Sequence, residues 1–405
     1  MLHDMDRSLA IRPAADASPA KPLSPAALLR DLISRFPLLG ITRLASQTGL
    51  DRTGIPCYAA IRPNSLTIAS HQGKGEDDLG AKLSAVMEAA EYAVAEAPET
   101  TSHTLSLDEA RAAGLATLDV ANLLPRGFAI DPTLPVRWVE GAEYPTGKPI
   151  LVPYDAVVLG VAPTAFTAIS QSTNGIAAGI SPDRALLHAL CELIERDAVC
   201  LWGFKPDAAA FATAVAPEAF GDAGVDRLVA RIARAGYRIH LFDQTTTIGV
   251  PVIYAVMFPA DGADKHFDAA SGAACHPVPG VAARKAIIEA AQTQVTNIAG
   301  ARDDIVDAEY DTALSRSIKV LTEIRPGGRP APEGFTGDDD TAEFLAFVRH
   351  GLDRAGLRRI VTVRLGSERL GIEVVKAFVP GLEDRLTNRH WRPGSRAAAA
   401  MLGAL

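Results

Sequence analysis

The 405-residue sequence is short of several things, and each shortage removes a class of protein. Its four cysteines, Cys57, Cys191, Cys200 and Cys275, are too few and too scattered for a disulfide scaffold or a structural zinc cluster. No stretch offers the ~18 uncharged apolar residues of a membrane span, so no membrane role is expected. There is no excess of basic charge: the net charge is −8, which argues against unspecific binding to nucleic acid. The opening Met1-Leu2-His3-Asp4-Met5-Asp6 has no basic segment leading into an apolar one, and a cytoplasmic location is the expectation. Neither a GxxxxGK[ST] phosphate loop nor a GxSxG nucleophile elbow occurs. Cys191 and Cys200 fall on a helix, where buried structural roles are expected.

What is present is a chain 48% hydrophobic and 22% charged, enough for a large core. Residues 1–24, rich in Ala, Pro, Asp and Ser, read as a tail, and 25–400 as one composite domain. Leu28, Leu29, Leu32 and Ile33 predict a helix from Pro25 to Phe36, and alternation from Ile55 to Ser70 predicts two strands joined near Pro63. Ser106 and Glu109 form a capping box. Long helices are expected at Leu79–Ala97, Pro182–Leu201 and Val281–Ile298. A helix-strand-strand layout over Val225–Pro259 recurs over Thr341–Pro380, suggesting antiparallel hairpins backed by helices and therefore an α+β fold.

Carboxylates sit on two otherwise apolar helices. Glu88 and Glu91 are three residues apart and share a face with Ser84; Glu192 and Glu195 repeat the spacing, with His188 one turn earlier. On the third helix, Lys285, Glu289 and Gln292 face one way. Each set taken alone is equally the solvated stripe of an amphipathic helix. Two such helices, each apolar elsewhere, point instead to acids brought together in a core, where they repel unless cations neutralise them. Hard divalent ions do so through oxygen, and Mg²⁺ commonly joins one or two carboxylates to substrate phosphates. A di-iron site requires Glu-x-x-His, whereas His188-x-x-x-Glu192 has the wrong order and spacing. The glycine-flanked Lys74, in Gly73-Lys74-Gly75, reads either as an ordinary turn or as a loop presenting Lys74 and backbone N–H groups to a phosphate.

Several segments taken in order resemble the YcaO family: Gly40–Ala45, Thr48–Pro56, Ile61–Ser65, Gly73–Gly75 and Ser84-x-x-x-Glu88-x-x-Glu91. Ser172–Gly175, His188–Ala198, Glu289–Gln292, Gly300–Asp304 and Val379–Glu383 continue the match. The detail resembles the branch that accompanies TfuA-type partner proteins. The resemblance implies a YcaO-like fold and an ATP- and Mg²⁺-dependent enzyme that phosphorylates a backbone amide oxygen of a ribosomally made peptide, giving an azoline or a thioamide. It implies that Glu88, Glu91, Glu192 and Glu195 hold Mg²⁺, that Lys74, Ser84, Arg196, Lys285 and Glu289 contact ATP, and that the protein is a homodimer. The chain departs from the family pattern at Tyr92, Ala177, Ile180, Arg184, Lys285 and Gln294. Two expectations follow: a divergent enzyme, with thioamidation favoured by the TfuA-type likeness, or a scaffold that binds a peptide or partner without using ATP.

Overall fold

A computed structural model describes residues 23–161, 168–300, 307–324, 327–366 and 368–403. Among these, three antiparallel sheets are packed by three long helices, as the α+β reading expects. Arg43–Ser46, Cys57–Ile61 and Ser70–Lys74 form a three-stranded sheet in chain order. A four-stranded sheet runs Ala270–Cys275, Val252–Pro259, Tyr237–Asp243, Ala214–Val215. The largest runs Ser102–Leu105, Val136–Tyr144, Ile360–Gly366, Glu373–Phe378, Ile176–Gly179, with Lys148–Pro153 also paired to Val136–Tyr144.

The helices start where local chemistry satisfies their free N–H groups. Asp77 accepts from Gly80 N (2.7 Å) to open Asp78–Glu96, the first acidic helix. Ser181 accepts from Arg184 N (3.3 Å) to open Pro182–Trp202, the second, with Pro182 in its first turn. The third, Pro279–Ala299, begins on its own proline. Small residues let each press close to a sheet. Ala81, Ala85, Ala89 and Ala90 of the first are fully buried, as are Ala282, Ala283, Ala286, Ala290 and Ala291 of the third. The second buries Leu190 and Ile194 against Val375, Ala377 and the Thr341–Arg354 helix.

The hairpins of the two helix-strand-strand units are antiparallel, but they lie in different sheets. The capping box at Ser106 and Glu109 is formed. Three expectations change. The first helix stops at Ser34, and Phe36–Leu39, with Pro37 in its first turn, is a separate short helix. The tail does not reach Ser24, whose hydroxyl caps that first helix through Ala27 N (3.3 Å); the rest of the assigned tail, up to residue 22, lies outside the described residues. The second strand of the first hairpin begins only at Ser70, because the connector is held by Glu96. Its carboxylate accepts from Ser65 Oγ (2.6 Å), Thr67 Oγ1 (2.8 Å) and Leu66 N (3.1 Å), and pairs with Arg62 (2.7 Å).

Gly73-Lys74-Gly75 is the end of a strand and the start of its turn into the first acidic helix. Gly73 and Lys74 belong to the strand, with Lys74 paired to Cys57 in register, and Gly75 N donates to Pro56 O (3.2 Å). A Cβ on Gly73 would stand 2.0 Å from Ala85 N and 2.3 Å from Ala81 O, so the glycine lets the first acidic helix lie directly on the strand. The Lys74 side chain reaches Glu289 on the third helix.

Candidate active site

The three helices converge on a cavity of about 920 Å³, lined by Lys74, Ser84, Glu88, Glu91, Glu192, Glu195, Arg196, Lys285 and Glu289 among others. All nine residues singled out from the sequence therefore face one space. The helical i, i+3 spacing turns each pair of acids the same way, while the apolar remainder holds each helix down on its sheet.

The acids are oriented from behind by backbone. Gly175 N donates to Glu192 Oε1 (3.1 Å) and Ala178 N to Glu91 Oε1 (2.8 Å), so a single segment serves one acid on each acidic helix. Gly175 must be glycine: its φ is +78°, and a Cβ would stand 2.6 Å from Ala377 O. Lys74 Nζ contacts Glu289 Oε2 at 2.6 Å, a pair that bridges the first sheet and the third helix. Arg196 Nη1 lies 3.8 Å from Glu195 Oε1, while its buried Nε has no hydrogen-bond partner among the described residues.

Burial pushes these carboxyls up. Glu88 rises to about 7, burial being reinforced by Glu192 and Glu289 and opposed by Lys74. Glu195 rises to about 8 through burial and then Glu289. Glu192 and Glu91 are raised by burial too, and the backbone donors only partly offset it. Burial, helped by Lys285 and Lys74, holds His188 down to about 4, so its imidazole is neutral near pH 7. Arg196 is raised despite burial, because Glu195 and Glu192 favour its charge. Acids shifted in this direction are acids short of positive charge.

Among the described residues no three His, Cys, Asp or Glu side chains are gathered tightly enough to hold a metal ion by themselves. That arrangement fits Mg²⁺ held jointly with a polyphosphate, since the ion takes one or two carboxylates and fills its octahedron with phosphate oxygens and water. The four glutamates offer an ion only oxygen donors, and Arg196 and Lys285 bring positive charge to the same cavity.

The chain matches the family model for YcaO cyclodehydratase, ATP- and Mg²⁺-binding, across residues 72–383. It belongs to the YcaO family. A protein of Rhizobium leguminosarum bv. trifolii from the tfuA 3' region is 35% identical over 377 residues, covering 90% of this chain and 89% of that one. The YcaO of Methanopyrus kandleri, solved with AMPPCP and Mg²⁺, has a TM-score of 0.68 at 22% identity over 89% of this chain and 92% of its own. A heterocyclase solved with substrate and cofactor gives 0.74 at 18% identity over 93% of this chain; the present chain spans 55% of it. At such identities the structures speak for the fold. The cofactors of this YcaO protein are ATP and Mg²⁺, as the family description states.

The structure gives the departures from the YcaO pattern a physical meaning. Ala177 points into the core of the second helix, with Ile176 and Ala178 on the cavity side; Ile180 is exposed and Arg184 sits in the first turn of that helix. None of these three side chains lines the cavity. Tyr92 and Lys285 do; Gln294 is buried elsewhere, its Oε1 without a partner among the described residues. Sequence reasoning missed Thr173 and Gln72, which line the cavity, and the two backbone donors Gly175 and Ala178. The Asn174-Gly175 turn was visible, but nothing in it said which carboxylate it would meet.

The raised carboxyls give a pH dependence. With folded values of about 7 for Glu88 and about 8 for Glu195, the site carries protons near neutrality that a cation must displace. Affinity for Mg²⁺–ATP is expected to rise between about pH 6.5 and 8.5, with release of at least about one proton per site at pH 7. Calorimetry in buffers of differing ionisation enthalpy measures that release; binding without it would mean these acids do not meet the ion.

Proposed function

We propose that this YcaO protein uses ATP to activate a backbone amide of a ribosomally made peptide, and that the product is a thioamide, with azoline formation as the related outcome. The observation that carries the reading is the cavity on which Glu88, Glu91, Glu192, Glu195 and Glu289 converge, with Arg196 and Lys285 on its wall, in a chain of a family described as ATP- and Mg²⁺-binding. Mg²⁺–ATP, when bound, supplies a phosphoryl group to the amide oxygen, which turns a poor leaving group into phosphate.

The residues act by holding and orienting. Glu88, Glu91, Glu192 and Glu195 would hold Mg²⁺ jointly with the phosphates, one or two of them to an ion, with Glu192 and Glu91 fixed by Gly175 and Ala178. Arg196 and Lys285 would offer positive charge to phosphate oxygens, and Ser84 a hydroxyl. Glu289 keeps Lys74 at the cavity wall. Neutral His188 adds no charge to that wall.

The relative from the tfuA 3' region supports a TfuA-like partner and, with it, transfer of sulfur rather than closure by a neighbouring side chain. A homodimer is the proposed assembly. The test is mass spectrometry of a candidate peptide incubated with the protein, a TfuA-like partner, sulfide and Mg²⁺–ATP. Exchange of one oxygen for sulfur supports thioamidation, and loss of one water supports an azoline. No peptide change and no ATP binding would leave a scaffold that binds without turnover.

A further inference from the structure

Lys376 lies on the Glu373–Phe378 strand, opposite Ile176, with apolar Val374, Val375 and Ala377 around it. It is 3% exposed, a rare position for a lysine. Its Nζ donates to Ser172 O (2.6 Å) and Asn174 O (2.7 Å), both in the turn that presents Gly175 N to Glu192. The same turn is tied on its other sides. Ala377 N donates to Gly175 O (2.8 Å), and Ser172 Oγ, which accepts from Asn174 N (3.0 Å), meets Thr387 Oγ1 (2.6 Å). Thr387 in turn is held by Asp384 through its N (2.9 Å) and its hydroxyl.

A buried ammonium is costly, and burial lowers Lys376 to about 8 even with Glu192 and Asp384 favouring its charge. An apolar residue in the strand would avoid that cost, but would leave two inward-facing carbonyls without a partner. Two short charge-assisted bonds on carbonyls two residues apart make the ammonium a clamp on the turn's shape.

We propose that Lys376 is a positioning residue: by locking the Ser172 and Asn174 carbonyls it fixes the turn whose Gly175 N–H aims Glu192 into the cavity. Lys376 does not line the cavity; it acts through that turn, and its charge also favours an ionised Glu192. The role rests on the functional reading above only where nucleotide is concerned, since the clamp itself is a property of the chain.

The test compares wild type with Lys376→Met and Lys376→Arg, by amide hydrogen exchange over residues 172–178 and by calorimetry with Mg²⁺–ATP. The clamp predicts faster exchange at Gly175 and Ala178 in Lys376→Met, and affinity weakened about 10- to 100-fold, as for groups that orient metal ligands. Lys376→Arg, still able to donate to both carbonyls, restores most of both. A merely structural lysine predicts a lower melting temperature with Gly175 exchange and affinity unchanged in the folded protein, and that result overturns the assignment. If Lys376→Met does not fold, Thr387→Val loosens the same turn from its other side. It should shift both readouts in the same direction by a smaller factor, and no shift counts against the clamp. Should wild type itself fail to bind Mg²⁺–ATP, the functional reading falls, and exchange at Gly175 still decides for or against Lys376.

Discussion

Glu192→Gln combined with Glu195→Gln is expected to lower ATP turnover by at least ~10³, about 4 kcal/mol of lost stabilisation, while the protein remains folded. Both acids line the cavity, and the amide oxygen introduced at position 192 can still accept from Gly175 N, so the change removes charge and leaves shape in place. Stability should move the other way. The folded value of Glu195 is raised to about 8 from an ordinary 4.5. Its contribution to stability is thus fully present below about pH 4.5 and lost as pH rises through about 8. Without nucleotide, wild type should lose melting temperature over that window, and the double variant should lose less, opening the gap toward about pH 8. Thermal scans from about pH 5 to 8.5 with parallel phosphate-release assays check both halves. Equal turnover in the variant would remove the acids from the mechanism.

Arg396→Met is expected to cost about 3–5 kcal/mol of stability, the range for leaving one half of a buried ion pair behind. Arg396 makes a two-pronged contact with Asp197, Nε to Oδ1 at 2.9 Å and Nη2 to Oδ2 at 2.7 Å. Asp197 is completely buried, one residue beyond Arg196 on the second acidic helix. The pair fastens the Ser395–Met401 helix to that helix. Beside it, Glu383 accepts from Ala397 N (2.9 Å), Trp391 Nε1 (3.0 Å) and Gly394 N (3.2 Å). Urea titration reads the loss, and Asp197→Asn in the same chain should recover part of it by removing the stranded charge. A midpoint unchanged in Arg396→Met would show that the second helix does not depend on this anchor.

What could be read from the sequence was chemistry repeated at local spacing. Glu88 with Glu91 and Glu192 with Glu195 each stand three apart on a helix whose other positions are apolar, so both the shared face and its burial follow from neighbours in the chain. Ser181, Pro182, Ser106 and Glu109 act within one turn, and they form the caps expected of them. At Gly73 the need for glycine comes from helix packing, which residues 73–75 alone do not disclose. Lys376 and Arg396 meet partners some two hundred residues away. A lone lysine in Val374-Val375-Lys376-Ala377 was the available signal for the first, since a strand buried on both faces rarely carries a charge without a purpose. Nor does the sequence reveal that the two helix-strand-strand units feed separate sheets, because strand partners are chosen by distant segments.

The most direct test of the acidic cavity as a Mg²⁺–nucleotide site is titration of the full chain with a non-hydrolysable ATP analogue, with and without Mg²⁺. Saturable, Mg²⁺-dependent binding that disappears in Glu192→Gln/Glu195→Gln is the predicted result. Binding that is absent in wild type, even with a candidate peptide present, or that survives the double substitution, would contradict it.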